Sequence, residues 1–271
     1  MSITIDLTDF AQEGEYAVRG NFVVYRKQSG WTPASVTGLH AWYKASRGVL
    51  NASDAPAANG EAVKTWQDQS GNGRHATQLV VADQPLYVAS SSINSKPALN
   101  FDGVSDYLKS TISVTTTTVT AFIVYRLDSI AAPCRLSSIV AAINADFNYS
   151  SSAILGYYAS TTKLQGYRNP NDKSFKSALG AAPYNAIICS QWDGTNHTLY
   201  YNSTTGQASV ASAEGAFNAV EWWLGSGRNG PGVPLSPTNC HIAEMALYTT
   251  SLSSTDRNAM MNYLNSEYAT F

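Results

Sequence analysis

Short runs of β-branched and aromatic residues, separated by Gly, Asn, Asp and Pro, most narrowly limit the folds available to this chain. The runs follow one another too closely for the helices of βαβ units, and their spacing is typical of an antiparallel sandwich. The clearest runs are GNFVVYR, TVTAFIVYRL, SAILGYYAS, KLQGYR, NAIICSQW, HTLYYN, EWWLGSG and HIAEMALY. We therefore predict an all-β fold of two antiparallel sheets, with AFIVYRL as a central strand covered on both faces.

One segment of the chain, close to its C-terminus, has the pattern of a helix. Ser253 and Asp256 form a capping-box-like start, and Met260, Leu264 and Tyr268 follow at helical spacing. We expect a single helix from residue 253 to residue 268, packed on the outside of the sandwich by this apolar stripe.

The first part of the chain differs in character from the rest. Residues 1–37 hold much of the charge and end in a Trp-Thr-Pro segment, which predicts a domain boundary near Val36. We expect an N-terminal arm over 1–37 and a single main domain over 38–271.

The arm begins with a stretch that alternates apolar and polar residues, SITIDLTDF. Such a strand has one apolar face and an unpaired edge, so we expect it to add to the sheet of another subunit. The apolar residues that this docking would bury are Ile3, Ile5, Leu7 and Phe10. The alternative is that the arm folds back as an edge strand of its own sandwich.

Charge and composition exclude several classes of function. Charged residues make up 13% of the chain and the net charge is −2, so no basic stripe for nucleic acid is expected. There is no signal-peptide pattern and no run of about 18 apolar residues, so we expect a product made in the cytoplasm without a membrane partner. The three cysteines, Cys134, Cys189 and Cys240, follow no disulfide or zinc spacing, and we expect small buried side chains.

Seven segments occur in an order that resembles a known family. They are GLHAWYKAS, VKTWQDQSGNGRHATQ, KPALNFDGVSDYL, TAFIVYR, WDGTNHTLYYN, WWLGSGRN and HIAEMALYTTSLSSTDRNAMMNYLNSEY. In this order they are similar to concanavalin A-like jelly-roll domains of the laminin-G-like type, found in bacterial and bacteriophage proteins. The resemblance covers residues 38 to 269 and implies a two-sheet antiparallel jelly-roll sandwich with one C-terminal helix.

The segment WQDQSGNGRHATQ contains neither a P-loop nor a dinucleotide-binding pattern. The resemblance implies a tight loop after the first core strand, in which Asp68 accepts backbone N–H groups of the Gly71–Gly73 turn and Trp66 packs inward. The alternatives are a divalent-ion loop around Asp68 and ligand contact through Arg74 or His75.

The segment FDGVSDYL contains two aspartates that could bind a calcium ion. Asp102 and Asp106 supply two carboxylates, whereas calcium takes six to eight oxygens, and Asp102-Gly103 is equally a hairpin turn. We predict no metal and no other cofactor, with calcium as the alternative.

Catalytic patterns are weak in this sequence. Glycoside hydrolysis needs two carboxylates flanking the scissile bond, and Glu244 in HIAEMALY has no acidic partner along its strand. The four histidines, His40, His75, His197 and His241, lie in unrelated segments without a nucleophile elbow. We therefore predict that the protein is not an enzyme.

Aromatic and polar residues in strands and loops are candidates for glycan binding, because such side chains stack on sugar rings and bind hydroxyls. The candidates are Tyr157, Tyr158, Tyr167, Trp223, Arg228 and Asn229. The alternative for each tyrosine is a half-buried position in a sheet.

These observations favour a bacteriophage structural protein located in the virion and made in the host cytoplasm. The resemblance, the polar surface and the terminal arm fit a head decoration or fibre subunit or a tail adhesin. The expected partners are other virion proteins or copies of the chain, with a host surface glycan as a weakly bound ligand. The alternatives are a stand-alone carbohydrate-binding module and, with less support, a glycoside-active enzyme.

Overall fold

The computed structural model describes residues 16–19, 22–25, 31–131, 133–141, 152–160, 162–168, 174–212, 214–229 and 233–271. For 16–19 and 22–25 the description covers the backbone alone. The described residues form two antiparallel sheets packed as a sandwich, with one C-terminal helix, and this confirms the predicted jelly-roll fold class.

The strands follow one another along the whole described chain. They are β1 (Tyr16–Arg19), β2 (Phe22–Tyr25), β3 (Leu39–Lys44), β4 (Val49–Leu50), β5 (Thr65–Trp66), β6 (Ala76–Thr77), β7 (Leu86–Val88), β8 (Ala98–Asp102), β9 (Leu108–Thr116), β10 (Val119–Leu127), β11 (Cys134–Val140), β12 (Ala153–Ser160), β13 (Lys163–Tyr167), β14 (Ser174–Lys176), β15 (Tyr184–Trp192), β16 (Asn196–Tyr201), β17 (Gly206–Ala211), β18 (Phe217–Leu224), β19 (Gly227–Arg228), β20 (Pro234–Leu235) and β21 (Asn239–Tyr248). The helix α1 spans Ser254–Tyr268.

Two sheets make up the sandwich within the described ranges. The eight-stranded sheet has the order β17-β16-β15-β10-β21-β8-β7, and β3 pairs with β21 beside β8. The nine-stranded sheet has the order β14-β13-β12-β11-β18-β9-β6-β5-β4. Strands β1 and β2 form a separate antiparallel pair, as do β19 and β20.

Strand β10 is buried on both faces, which explains its nearly uninterrupted run of apolar residues. Its alternate residues Ile123 and Tyr125 point into the core between the sheets, and Phe122 and Val124 point to the opposite face. All four are buried, because the nine-stranded sheet covers one face and α1 covers the other. The predicted covering of this strand on both faces is confirmed.

Helix α1 begins and packs as the sequence predicted. The Ser253 side chain accepts a hydrogen bond from the Asp256 backbone N–H, at 3.1 Å. Met260, Leu264 and Tyr268 are buried against the outer face of the eight-stranded sheet. No helix of the described residues is long and apolar enough to cross a membrane.

The segment that precedes β3 packs onto the main domain from Trp31 onward. The Trp31 ring contacts the Tyr263 ring, with centroids 5.3 Å apart. The Tyr248 hydroxyl donates a hydrogen bond to the Pro33 carbonyl at 2.9 Å. Val36 is buried in the same apolar cluster, so packed structure starts slightly before the predicted boundary.

The residues proposed for assembly lie outside the described ranges. They are Ile3, Ile5, Leu7 and Phe10. Docking through the arm therefore stays a prediction. The cysteines, by contrast, are described and buried with free thiols, as expected for Cys134, Cys189 and Cys240.

Candidate ligand-binding site

The loop that follows β5, residues 67–75, is organised by the Asp68 carboxylate and is here named the Asp68 loop. Its Oδ1 accepts the backbone N–H groups of Trp42 and Ser70, both at 2.9 Å. Its Oδ2 accepts the Ser70 hydroxyl at 2.8 Å and the Arg74 N–H at 3.0 Å. The expected role of Asp68 as a backbone acceptor is confirmed, but the donors are not those of the Gly71–Gly73 turn.

The Asp68 loop also joins the two sheets. Arg74 donates to the carbonyl of His40 at 3.2 Å and to that of Ile112 at 3.3 Å, so it bridges β3 and β9. The His40 ring contacts the same Ile112 carbonyl, while Trp66 is fully buried in the core as predicted. These contacts assign Arg74 to holding the sheets together rather than to ligand contact.

The Asp102 and Asp106 carboxylates stabilise the chain that crosses from β8 to β9. One Asp102 oxygen accepts the backbone N–H groups of Val104, Ser105 and Asp106 at 2.8 to 3.1 Å. Asp106 in turn accepts the Asp102 N–H at 2.9 Å. Among the described residues no three His, Cys, Asp or Glu side chains are grouped to hold a metal ion.

Asp106 should make the stability of the fold depend on pH. Burial raises its pKa to about 7, and the nearby Asp102 and Asp83 carboxylates act in the same direction. The folded state therefore holds the Asp106 proton more tightly than the unfolded state does. This stabilisation is complete below about pH 4 and is lost as pH rises through about 7.

The variant Asp106→Asn isolates this effect. We expect it to raise the free energy of unfolding at pH 8 by about 2 kcal/mol and to leave it unchanged at pH 4. Urea unfolding at both pH values measures the difference, with exposed Asp54→Asn as the control. An equal effect of Asp106→Asn at pH 4 and pH 8 would contradict the argument.

Glu244 is fully buried on the outer face of the eight-stranded sheet, beneath α1. Its carboxylate accepts the Trp42 indole N–H at 2.8 Å, the Tyr268 hydroxyl at 2.7 Å and the Tyr263 hydroxyl at 3.1 Å. The Lys44 ammonium lies 3.6 Å away. Burial raises the pKa of Glu244, opposed by Lys44 and these hydrogen bonds, and the contacts attach α1 to the sheet.

Four of the six predicted glycan-binding residues are enclosed by protein. Tyr158, Tyr167, Trp223 and Arg228 are at most 7% exposed. Tyr158 points into the core, where its hydroxyl lies 2.6 Å from that of Tyr125. These four side chains therefore offer little aromatic or polar surface, whereas Tyr157 is partly exposed and Asn229 is exposed.

Trp223 and Arg228 meet at one carboxylate on the outer face of the nine-stranded sheet. The Trp223 indole donates to Glu221 at 2.9 Å, and an Arg228 nitrogen lies 3.5 Å from the same carboxylate oxygen. Tyr107 stacks on Trp223 with ring centroids 4.6 Å apart. Trp223 and Arg228 thus belong to an internal cluster. Asn229 follows Arg228 in sequence and is exposed.

A row of side chains crosses the same face nearer its edge, over strands β11 to β14. Strand register places Arg135 beside Tyr157, Tyr157 beside Gln165, and Gln165 beside Phe175. Paired residues of antiparallel strands point to the same face, so these four side chains are neighbours. We name them the edge row; Tyr157 also contacts Tyr167, with ring centroids 5.6 Å apart.

The centre of the edge row is the Gln165 side chain. Gln165 is 5% exposed, and its side chain makes no hydrogen bond to any described residue. Its amide atoms are not among the fully buried polar atoms that lack a partner, so they keep contact with solvent. A ligand that hydrogen-bonds to this amide would replace water there. Phe175 next to it is 39% exposed although it is a large aromatic side chain.

Two cations lie over the aromatic rings of the edge row. The Arg135 guanidinium is 5.2 Å from the Tyr157 ring centroid, and the Lys163 ammonium is 4.2 Å from that of Phe175. Such cation–π contacts hold the charged groups in place beside the row. The sequence prediction named only Tyr157 of these residues; the alternation in KLQGYR, with Lys163 and Gln165 on one face, was the available signal.

The described residues form a jelly-roll sandwich, and comparison with solved structures agrees with this fold class. A sialidase of Trypanosoma rangeli matches 86% of the chain at 14% identity and a TM-score of 0.55. The binding domain of Paraclostridial Mosquitocidal Protein 1 matches 83% at 8% identity and 0.54. The binding domain of botulinum neurotoxin DC, in complex with rat synaptotagmin II, matches 84% at 12% identity and 0.52.

These likenesses concern the fold alone, since the identities are low. The chain spans 33% of the length of the sialidase and 52% of each toxin binding domain. No protein-family model and no curated protein sequence matches the chain.

Proposed function

We propose that this chain is a non-catalytic recognition protein that binds a saccharide through the edge row. The observation that carries the proposal is the Gln165 amide between the Tyr157 and Phe175 rings, which makes no hydrogen bond to a described residue and keeps contact with solvent. Sugars present apolar ring faces and many hydroxyls, so a site with aromatic surface on both sides of an amide suits them. The strands that carry the two rings are about 10 Å apart.

The placement of acidic residues supports binding rather than hydrolysis. Glu221 lies on the outer face of the nine-stranded sheet, and Glu244 lies on the outer face of the eight-stranded sheet. A sandwich of about 10 Å thickness therefore separates them, with the two side chains directed apart. Most glycoside hydrolases use two carboxylates that flank one bond, and these two glutamates are not placed to do so.

The similar solved structures add support for a binding role. The two toxin structures are binding domains, and one sialidase structure is a complex with sialic acid. A binding role for the present chain is in keeping with a fold that occurs in such proteins.

We also propose a location for this recognition protein, in a bacteriophage virion as a head decoration, fibre subunit or tail adhesin. The support is the family resemblance of the sequence and its polar, weakly charged surface. Mass spectrometry of purified particles from the encoding phage provides the test. Absence of the chain from infectious particles would contradict the virion role and leave saccharide binding to be judged separately.

The variant Gln165→Leu tests saccharide binding apart from folding. We expect at least about a tenfold loss of affinity for the saccharide, which corresponds to one hydrogen-bonded group. The melting temperature should change little, because the Gln165 side chain makes no hydrogen bond to a described residue and leucine is of similar size. Glycan-array binding with the full chain and thermal unfolding measure the two effects.

The matched control for this test is Gln207→Leu, which changes an exposed glutamine on β17 of the other sheet. A second variant, Phe175→Ala, should also reduce binding, and Phe271→Ala removes an exposed ring elsewhere as its control. The proposed function would be refuted if the unaltered chain bound no saccharide on the array. It would also be refuted if Gln165→Leu and Gln207→Leu bound the saccharide equally well.

A further inference from the structure

The four strands that carry the edge row contain basic residues and no acidic residue, while Asp146 and Asp172 lie in the connections between them. Strands β11 to β14 carry Arg135, Lys163 and Lys176, and they include neither Asp nor Glu. The chain as a whole has a net charge of −2. A local excess of positive charge on a weakly acidic protein favours an anionic ligand at that place.

Lys163 differs from the lysines of the described chain that form ion pairs. Its ammonium lies 4.2 Å from the centroid of the Phe175 ring, and no carboxylate among the described residues lies within 4.0 Å. By contrast, the ammonium groups of four other lysines each lie within 3.5 Å of a carboxylate oxygen. They are Lys44, Lys64, Lys96 and Lys109.

The aromatic rings place the cations where a ligand on Gln165 would meet them. Lys163 precedes Gln165 by two residues on β13 and therefore shares its face of the sheet. The Arg135 guanidinium stands over Tyr157 on the other side of the amide. Phe175 remains 39% exposed with Lys163 over one side of its ring, so aromatic surface is still available to the ligand.

We infer that the edge row selects saccharides that carry a carboxylate or sulfate group. The Lys163 ammonium pairs with the acidic group, Gln165 binds ring hydroxyls, and the Phe175 and Tyr157 rings contact the apolar faces of the sugar. This inference rests on the proposed function and names the class of saccharide that it concerns. Charge-assisted hydrogen bonds from Lys163 supply the selectivity, and the neutral contacts supply the rest of the affinity.

Matched acidic and neutral probes test this selectivity with the full chain. The pairs are polygalacturonate with its methyl ester, 3′-sialyllactose with lactose, and dextran sulfate with dextran. For the pair that binds, we expect about tenfold tighter binding of the acidic member at low salt. The preference should shrink as sodium chloride rises from about 50 to about 500 mM, because salt screens the charge pair.

Variants of Lys163 separate this inference from the proposed function. Lys163→Gln should lower the affinity for the acidic member about tenfold more than the affinity for the neutral member, while Lys163→Arg should keep the ratio of the two affinities. Lys64→Gln, at a lysine paired with Asp54, is the matched control and should change neither value. Gln165→Leu should weaken both members of a pair equally.

Each outcome of this experiment decides one of the two proposals. Equal binding of the acidic and neutral members, or an unchanged ratio in Lys163→Gln, overturns acid selectivity while saccharide binding stands. Failure of every probe to bind the unaltered chain counts against the proposed function itself. Binding of dextran sulfate that Lys163→Gln and Gln165→Leu leave intact shows charge attraction elsewhere and overturns the inference.

Discussion

Replacing Asp68 with alanine is expected to lower the free energy of unfolding by about 4 kcal/mol. The substitution removes the acceptor of three backbone N–H groups and one hydroxyl, which belong to Trp42, Ser70 and Arg74. Asp68 is buried, so water replaces these hydrogen bonds poorly. The loss also loosens Arg74, which connects β3 with the Ile112 carbonyl of β9.

Urea unfolding measures this effect, and Asp54→Asn is the control, because asparagine tolerates the left-handed backbone of residue 54, with φ of 60°. Asp54 is exposed and pairs with Lys64 at 2.8 Å, so its loss should change stability by less than about 1 kcal/mol. If the two aspartate variants had equal stability, the Asp68 loop would not join the sheets as described.

Replacing Glu244 with alanine should have an effect of similar size, a loss of about 4 kcal/mol. The alanine leaves the Trp42 indole N–H and the Tyr268 hydroxyl without their acceptor, and it removes the more deeply buried of the two carboxylates beside Lys44. Glu244→Gln keeps an acceptor oxygen but loses the charge, so a smaller loss of about 2 kcal/mol is expected.

Glu267→Ala is the control for the Glu244 variants, because Glu267 pairs with the same Lys44 at the edge of the network. Its loss should cost about 1 kcal/mol or less. Equal effects of Glu244→Ala and Glu267→Ala would contradict a buried network. Glu244→Gln should also leave any polysaccharide turnover by the preparation unchanged, and a loss of turnover in this variant would overturn the non-catalytic proposal.

The fold was predictable because the local sequence patterns match the burial that each strand and the helix have in the folded protein. β10 reads as an unbroken apolar run because it is covered on both faces, and α1 follows its cap and its apolar stripe. The partners of Asp68 and Glu244 were not predictable in the same way. The Trp42 N–H lies 26 residues before Asp68 in sequence, and Trp42 lies 202 residues before Glu244.

The candidate site was predictable only in part, because adjacent residues of a strand point to opposite faces. Tyr157 reaches the surface while Tyr158 lies in the core. Register irregularities between β11 and β12, near Ser137, obscure which residues share a face. Trp223 does point outward, yet Tyr107 stacks on it from a connection more than 100 residues earlier.

The position of β21 in the eight-stranded sheet determines when the chain can fold during synthesis. This last strand lies between β10 on one side and β8 with β3 on the other. Until the ribosome has released it, the two halves of the sheet have no strand to join them. High contact order of this kind slows folding and prolongs the exposure of apolar strands. A polypeptide truncated before Asn239 should accumulate in inclusion bodies, and the eight-stranded sheet should close only after β21 has left the ribosome.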